Sequence, residues 1–254
     1  MNQHIPRSCR CLRRAFTLIE ILVVVAIVGI LVAILLPSLS SAKERANAAK
    51  CLSNLHHLAE AAGGYTIDFA GSYPIAQDGK NNWDITSIFD PSIGKSVSTG
   101  GILYRFDSTT LKIFMCPDYV IASDPSALFT GYNYNTSFIG HGVGEAIVAP
   151  ATLLQVTHPT TTALFGDGQQ SGPDKFMRAP AMCNPLVDGG DAVGENTRAA
   201  GTQGYRHLGR TNVAWADGHT EAWSSCTTQT SPSNLPTAPK TGFLSADNSL
   251  YGIR

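Results

Sequence analysis

Apolar and polar residues are distributed along this chain in three successive patterns. From Ile21 to Leu36 there is no charged or strongly polar residue, and the apolar character reaches back through Phe16, Leu18 and Ile19. About 20 apolar residues in a helix suffice to cross the hydrocarbon core of a bilayer, so residues 16–36 are expected to span a membrane. Beyond them, Leu39, Ala42, Ala46, Ala49, Leu52, Leu55, Ala59 and Ala62 recur at spacings of three and four. Lys43, Glu44, Arg45, Asn47, Lys50 and Glu60 fall largely on other faces, which is the pattern of a helix with one apolar stripe. Pro37 lies at the junction. It lacks an N–H, so the Ala33 carbonyl loses its helical partner and a kink or loosening is expected there. Gly63-Gly64 supplies a stop signal. The pattern therefore predicts one helix over 16–62, membrane-spanning in its first half and amphipathic in its second.

From Tyr65 onward the chain turns to Gly, Thr, Ser, Asn and Pro with short apolar runs. Residues 111–116, 161–165 and 212–216 read as strands. Asp78-Gly79, Asp167-Gly168, Asp188-Gly189-Gly190 and Asp217-Gly218 read as turns between them. Asp217-Gly218 suits a two-residue type I′ turn joining 213–216 to 219–223, a register that opposes Trp215 to Thr220 and Val213 to Ala222. Residues 224–242, rich in Ser, Thr and Pro, read as a surface loop or linker. The expected fold class is α+β, a long N-terminal helix leaning on a small antiparallel sheet. Its domains would be 1–15, 16–62 and a β-rich unit over 63–254.

Charge gives the helix a direction. The 254 residues carry a formal net charge of −1, but Arg7, Arg10, Arg13 and Arg14 precede the apolar run with no acid among them. The positive-inside rule then puts the N-terminus in the cytoplasm and everything after Pro37 outside. The remainder is acidic, which argues against nucleic acid as a partner, since that wants a basic patch. A secretory signal peptide is the competing reading, and small residues after Pro37 would suit its cleavage. The run, however, exceeds the roughly 7–15 residues of a signal's apolar region, and an ordinary signal has no use for Glu20. An ionisable group at the mouth of a membrane segment is costly and usually functional.

The run Arg13-Arg14-Ala15-Phe16-Thr17-Leu18-Ile19-Glu20, followed by the apolar helix with Pro37, resembles the N-terminus of type IV prepilins and of type II secretion pseudopilins. The resemblance implies a leader peptide over 1–15, cut between Ala15 and Phe16 by a membrane-embedded prepilin peptidase, and N-methylation of Phe16. Ala15 departs from the glycine usual before the cut. The resemblance further implies partnership with other pilin or pseudopilin subunits, with pilus or secretion machinery and with membrane lipid, at the bacterial inner membrane. In that setting Glu20 of one subunit would neutralise the freed amino terminus of a neighbour inside an apolar bundle. The simpler alternative is that Glu20 reaches the headgroups.

A second resemblance lies near the C-terminus. His207, nine intervening residues and then Asp217-Gly218 resemble the H-x9-DG pattern of a bacterial subset of prepilin-like proteins with an uncharacterised outer domain. Cys116-Pro117 also fits that group. His207, Asp217 and His219 are weak candidates for a divalent metal. Calcium wants about six to eight oxygens, and the spacing fits no strong zinc pattern. A turn at Asp217-Gly218 pinned by a hydrogen-bonded His207 explains the residues without metal, and no cofactor is expected. His56 and His57 point about 100° apart on a helix and are not expected to share a metal. Gly140-His141-Gly142-Val143-Gly144 lacks the dinucleotide spacing and reads as a loop. No nucleophile elbow or separable triad is present, so no catalytic residue is assigned and no enzyme is expected. Cys9 and Cys11 would leave with the leader. Cys51, Cys116, Cys183 and Cys226 remain, with Cys51 expected to stay reduced and packed, and Cys116–Cys183 or Cys183–Cys226 as candidate disulfides. The reading is a structural subunit of a type IV pilus or type II secretion pseudopilus. Its alternative is an anchored extracytoplasmic ligand-binding protein that does not polymerise.

Overall fold

A computed structural model of the chain describes residues 17–78, 81–106, 115–119, 130–141, 149–168, 176–177, 203–228 and 240–253. Its first element is the helix α1 (Leu18–Asp68), which continues through Pro37. Proline removes one backbone donor, and nearby Ser38 donates its hydroxyl to the Leu35 carbonyl at 2.9 Å. The helix also runs through Gly63-Gly64, six residues or so beyond the expected stop. Thr66 is buried and its hydroxyl donates to the Gly63 carbonyl at 2.7 Å. Tyr65 stacks on Phe69 at 4.0 Å between ring centroids, with Phe106 against both. These contacts outweigh the roughly 1 kcal/mol that each helical glycine costs. The helix ends where Ala70 and Gly71 take positive φ and the Gly71 N–H donates back to the Thr66 carbonyl at 2.8 Å. This is the six-to-one bond of a Schellman motif, with Ala70 as the left-handed residue after the helix and Gly71 following it.

The chain divides into two compact units, Met1–Lys43 and Glu44–Arg254. In the first, the helix is exposed on every face from Leu18 onward and, Glu20 aside, apolar as far as Leu36. The second holds the rest of α1 and three small sheets. β1 (Ile85–Asp90) and β2 (Lys95–Gly100) form an antiparallel hairpin. β3 (Tyr132–Asn135), β4 (Ala163–Asp167), β5 (Phe176–Met177), β7 (Thr211–Trp215) and β8 (Thr220–Trp223) form a sheet in the order β5-β3-β4-β7-β8. All its pairs are antiparallel except β3 with β5. β6 (Gln203–Gly204) pairs with β9 (Thr241–Gly242). Cys51, Leu55, Leu58, Ala59 and Ala62 of α1 pack in one apolar core with Trp83, Tyr132, Tyr134, Phe165 and Ala214. The architecture is α+β, as expected.

Several local expectations are corrected. The hairpin between β7 and β8 has a three-residue loop, so Ala214 faces Thr220 and Asn212 faces Ala222, one residue out of the expected register. Gly218 N–H donates to the Trp215 carbonyl at 2.9 Å and Gly218 sits at φ 92°. That is a type I turn closed by a left-handed glycine, the next commonest hairpin loop after the type I′ turn. Asp167-Gly168 is not a turn but the end of β4, with Gly168 bridging to Gln203. Thr161 and Thr162 precede β4 as a turn, and Ala216 lies in the hairpin loop outside β7. Gly140 closes a single π-helical turn, Thr136–Gly140. Within the expected 224–242 loop, Thr227 bridges to Phe243 and residues 241–242 form β9. Residues 111–114, 142–144, 188–190 and 229–239 lie outside the described residues; Met115 and Cys116 are not in a strand.

Candidate functional site

The start of α1 is set by Thr17 and Glu20. Glu20 Oε2 accepts from the Thr17 backbone N–H at 2.8 Å and from its hydroxyl at 2.7 Å. The Glu20 N–H donates to Thr17 Oγ1 at 3.4 Å. This is a capping box, a Thr and a Glu three residues apart satisfying each other's backbone donors. The Thr-x-x-Glu spacing was readable in the sequence and supplies Glu20 with a local role. Ala15 and Phe16 lie outside the described residues. From Leu18 to Leu36 every residue is exposed, and this is a helix long and apolar enough to cross a membrane. A stripe of that size without cover needs lipid or other chains around it.

Residues 10–36 match the prokaryotic N-terminal methylation motif. The N-terminal segment is prepilin-like. Over 67 residues the chain is 37% identical to the type II secretion system core protein G of Pectobacterium carotovorum subsp. carotovorum, covering 26% of this chain and 42% of that protein. It is 39% identical to the core protein G of Klebsiella pneumoniae, covering 26% and 47%. For that of Escherichia coli (strain K12) the figures are 37% identity, 26% and 46%. The chain thus spans less than half the length of the curated relatives it matches. No solved structure matches. One N-terminal apolar helix with a prepilin-like motif fits a single-pass inner-membrane protein.

The two ends of the H-x9-DG spacing go to different places. His207 precedes β7 and Asp217 follows it, and five strand residues at about 3.3 Å each put roughly 16 Å between them. Asp217 accepts from the His219 N–H at 3.1 Å and meets His219 Nδ1 at 2.6 Å. His219 stacks on Trp215. The Gly218 carbonyl meets His56 Nδ1 of α1 at 3.1 Å. Glu60 meets both neighbouring histidines, His57 Nδ1 at 3.2 Å and His56 Nε2 at 3.5 Å. An open cleft of about 500 Å³ lies here, lined by His56, Glu60, Tyr73, Asp217 and His219 among others. His207 is therefore not brought together with Asp217 and His219.

His207 is buried in a cluster that spacing alone did not foretell. Its Nε2 is 3.4 Å from Asp167 Oδ2 and 3.6 Å from Cys116 Sγ. Its Nδ1 is 3.1 Å from Asp118 Oδ2. Cys51, from α1, completes the group, and its sulfur lies within 4.8 Å of those ligand atoms of Cys116, Asp167 and His207. Arg206 closes the cluster: its Nε donates to Cys116 Sγ at 3.3 Å and its Nη2 to Asp167 Oδ1 at 3.2 Å. Its other donors go to the Gly168 and Gly131 carbonyls. The Asn212 N–H holds Asp167 Oδ2 at 2.7 Å.

Burial disfavours charge on His207, but hydrogen bonds and charges from Asp167 and Cys116 prevail and raise its pKa to about 10. Burial also works against a Cys116 thiolate, yet donors from Cys51 and His207 and the Arg206 charge lower its pKa to about 5. The hydrogen bond to Cys116, then burial, drives Cys51 the other way. Cys51, Cys116 and Cys226 are free thiols, and both pairings considered for Cys183 involve a residue outside the described ones. Only 4% exposed, the Cys116 sulfur is closed to a substrate arriving from solvent. Sequence reasoning passed over Asp118 and Asp167. The signal for Asp167 was a lone carboxylate ending the apolar run Ala163-Leu164-Phe165.

Proposed function

We propose that this chain is a structural subunit of a type IV pilus or a type II secretion pseudopilus. In this reading prepilin peptidase cuts between Ala15 and Phe16, Phe16 is N-methylated, and the subunit assembles through its N-terminal helix. Its partners are other pilin or pseudopilin subunits, the secretion or pilus machinery, and lipid before assembly. The N-terminus faces the cytoplasm and the Glu44–Arg254 unit lies outside, without enzymatic activity. The supporting observation is a helix apolar and exposed on every face from Leu18 to Leu36 except for one carboxylate, Glu20. The capping box satisfies Glu20 while the chain is alone. After cleavage, the amino terminus of a neighbouring Phe16 becomes a cation that could compete for that carboxylate.

Co-expression with a prepilin peptidase, N-terminal sequencing and electron microscopy of sheared surface material test the reading. The expected result is a mature chain beginning at Phe16 and fibres containing it. Glu20→Ala is expected to insert and be processed normally but to yield no fibres. Fibres from that variant at wild-type level would refute the pairing role. The cleft beside His56 and Asp217 favours a second reading, an anchored protein that binds a ligand and does not polymerise. A processed chain that never forms fibres would support it.

A further inference from the structure

The cluster around His207 has a metal site's composition and spacing, and it belongs to neither reading above. We propose that Cys51, Cys116, Asp167 and His207 form a structural zinc site that fastens α1 to the sheet. Cysteine sulfur, histidine nitrogen and aspartate oxygen are all zinc ligands, and a structural zinc centre is closed by four protein ligands in a tetrahedron. Zinc bond lengths of about 2.3 Å to sulfur and about 2.0–2.2 Å to nitrogen and oxygen fix the tetrahedron's edges. They require about 3.6 Å between sulfur and nitrogen and about 3.4 Å between nitrogen and oxygen. The Cys116 Sγ–His207 Nε2 separation is 3.6 Å and the His207 Nε2–Asp167 Oδ2 separation is 3.4 Å. The four ligand atoms all lie within 4.8 Å of one another, so modest closure brings the remaining edges to length.

The surroundings fit as well as the ligands. His207 turns its other nitrogen to Asp118 at 3.1 Å. That is the carboxylate–histidine arrangement that fixes the ligating tautomer. Asp118 is itself held by the Asn47 amide of α1 at 2.5 Å. The Asp167 carboxylate is oriented by Arg206 and the Asn212 N–H. Arg206 also donates to the Cys116 sulfur, as outer-shell donors do to bound thiolates. Two thiolates, the Asp167 carboxylate, the Arg206 cation and a divalent ion sum to zero charge, which lowers the cost of burying them; the Asp118 carboxylate beyond His207 is partly exposed and lies outside that sum. A hard ion such as magnesium or calcium, which takes oxygen ligands, is excluded by the two sulfurs. The ligands come from α1, the loop at Cys116, the end of β4 and the loop before β7, four segments far apart in sequence. A single ion would join them.

The same two thiols could instead be oxidised to a Cys51–Cys116 disulfide by exchange with a disulfide donor, and the test separates the outcomes. Full-length protein is purified in detergent without chelator, and its metal content and thiol state are measured. About one zinc per chain with both thiols reduced is expected. Cobalt replacing it should give thiolate-to-cobalt charge transfer and the intense visible bands of tetrahedral coordination. Cys51 and Cys116 should resist alkylation, as read by peptide mass, until a chelator is added. Cys51→Ser and His207→Ala should each lose the ion, and Asp118→Asn should weaken binding about 10–100-fold. Should the buried variants fail to fold, chelator-dependent alkylation of the wild-type thiols decides the matter alone. A Cys51–Cys116 disulfide, no uptake of zinc by reduced protein, or zinc retained by both ligand variants would overturn the proposal.

Discussion

The two halves of α1 differ in a way that composition alone gets backwards. Leu18 to Leu36 is the more apolar half, yet every residue there is exposed. Cys51 to Ala62 is interrupted by Asn54, His56, His57 and Glu60, yet it supplies Leu55, Leu58 and Ala62 to the core at 0% exposure. A helix apolar on every side has no preferred face for one sheet and suits a medium that surrounds it, whether lipid or like helices. A helix with one stripe has a single face to bury, and the sheet takes it. Burial follows the distribution of apolar residues around the helix rather than their number.

The largest effect should come from truncating the buried stripe. Leu58→Ala is expected to cost about 2–5 kcal/mol, through lost transfer energy and the cavity left behind. Trp83, Trp215 and Trp223 are the chain's three tryptophans, so fluorescence during denaturant unfolding of the detergent-solubilised chain reports on the Glu44–Arg254 unit. A loss under 1 kcal/mol would mean that α1 does not need the sheet as the contrast supposes.

A polar residue in the buried half sharpens the point. Asn54 is 5% exposed and donates to the Tyr132 hydroxyl at 3.0 Å and the Met115 carbonyl at 3.1 Å. Asn54→Ala takes this donor from the Met115 carbonyl and one of two partners from the Tyr132 hydroxyl, which keeps Cys51, and should cost about 1–3 kcal/mol by the same readout. Asn54→Leu should not recover this, since a leucine donates to neither acceptor. If Asn54→Ala were neutral, burial on this face would owe nothing to its hydrogen bonds.

The contrast between the halves was legible in the sequence, because a three-to-four spacing and an unbroken apolar run are both local patterns. So were the strands at 163–167 and 211–215, each close to a short apolar run. Nonlocal features were not. The helix passes Gly63-Gly64 because Tyr65, Thr66 and Phe69 find partners, and nothing within the helix announces Phe106. The β7–β8 register turned on whether Asp-Gly forms a two- or three-residue loop, and in the three-residue form Trp215 and Trp223 meet edge to face. Asp167-Gly168 looked like a turn because the dipeptide usually is one. Its carboxylate is instead buried by Arg206 and His207, 39 and 40 positions further along the chain. Of the four residues proposed to hold zinc, Cys51, Cys116 and His207 each stood out singly. Only the fold shows that they meet.

The smallest effect should come from the exposed half, and it is the sharper test of the contrast. Leu31 is 55% exposed in a helix whose neighbours are all apolar. Leu31→Ala removes the same atoms as Leu58→Ala, but from a surface that packs on nothing in its own unit. Its effect on unfolding of the Glu44–Arg254 unit should stay within about 0.5 kcal/mol, as for surface changes generally. If helices of neighbouring subunits cover this surface, the same variant should lower fibre yield in the sheared-material assay while leaving processing at Phe16 intact. A drop in unit stability comparable to that of Leu58→Ala would erase the distinction between the halves. Unchanged stability with unchanged fibres would keep the distinction but take Leu31 out of the assembly contact, leaving lipid as its only partner.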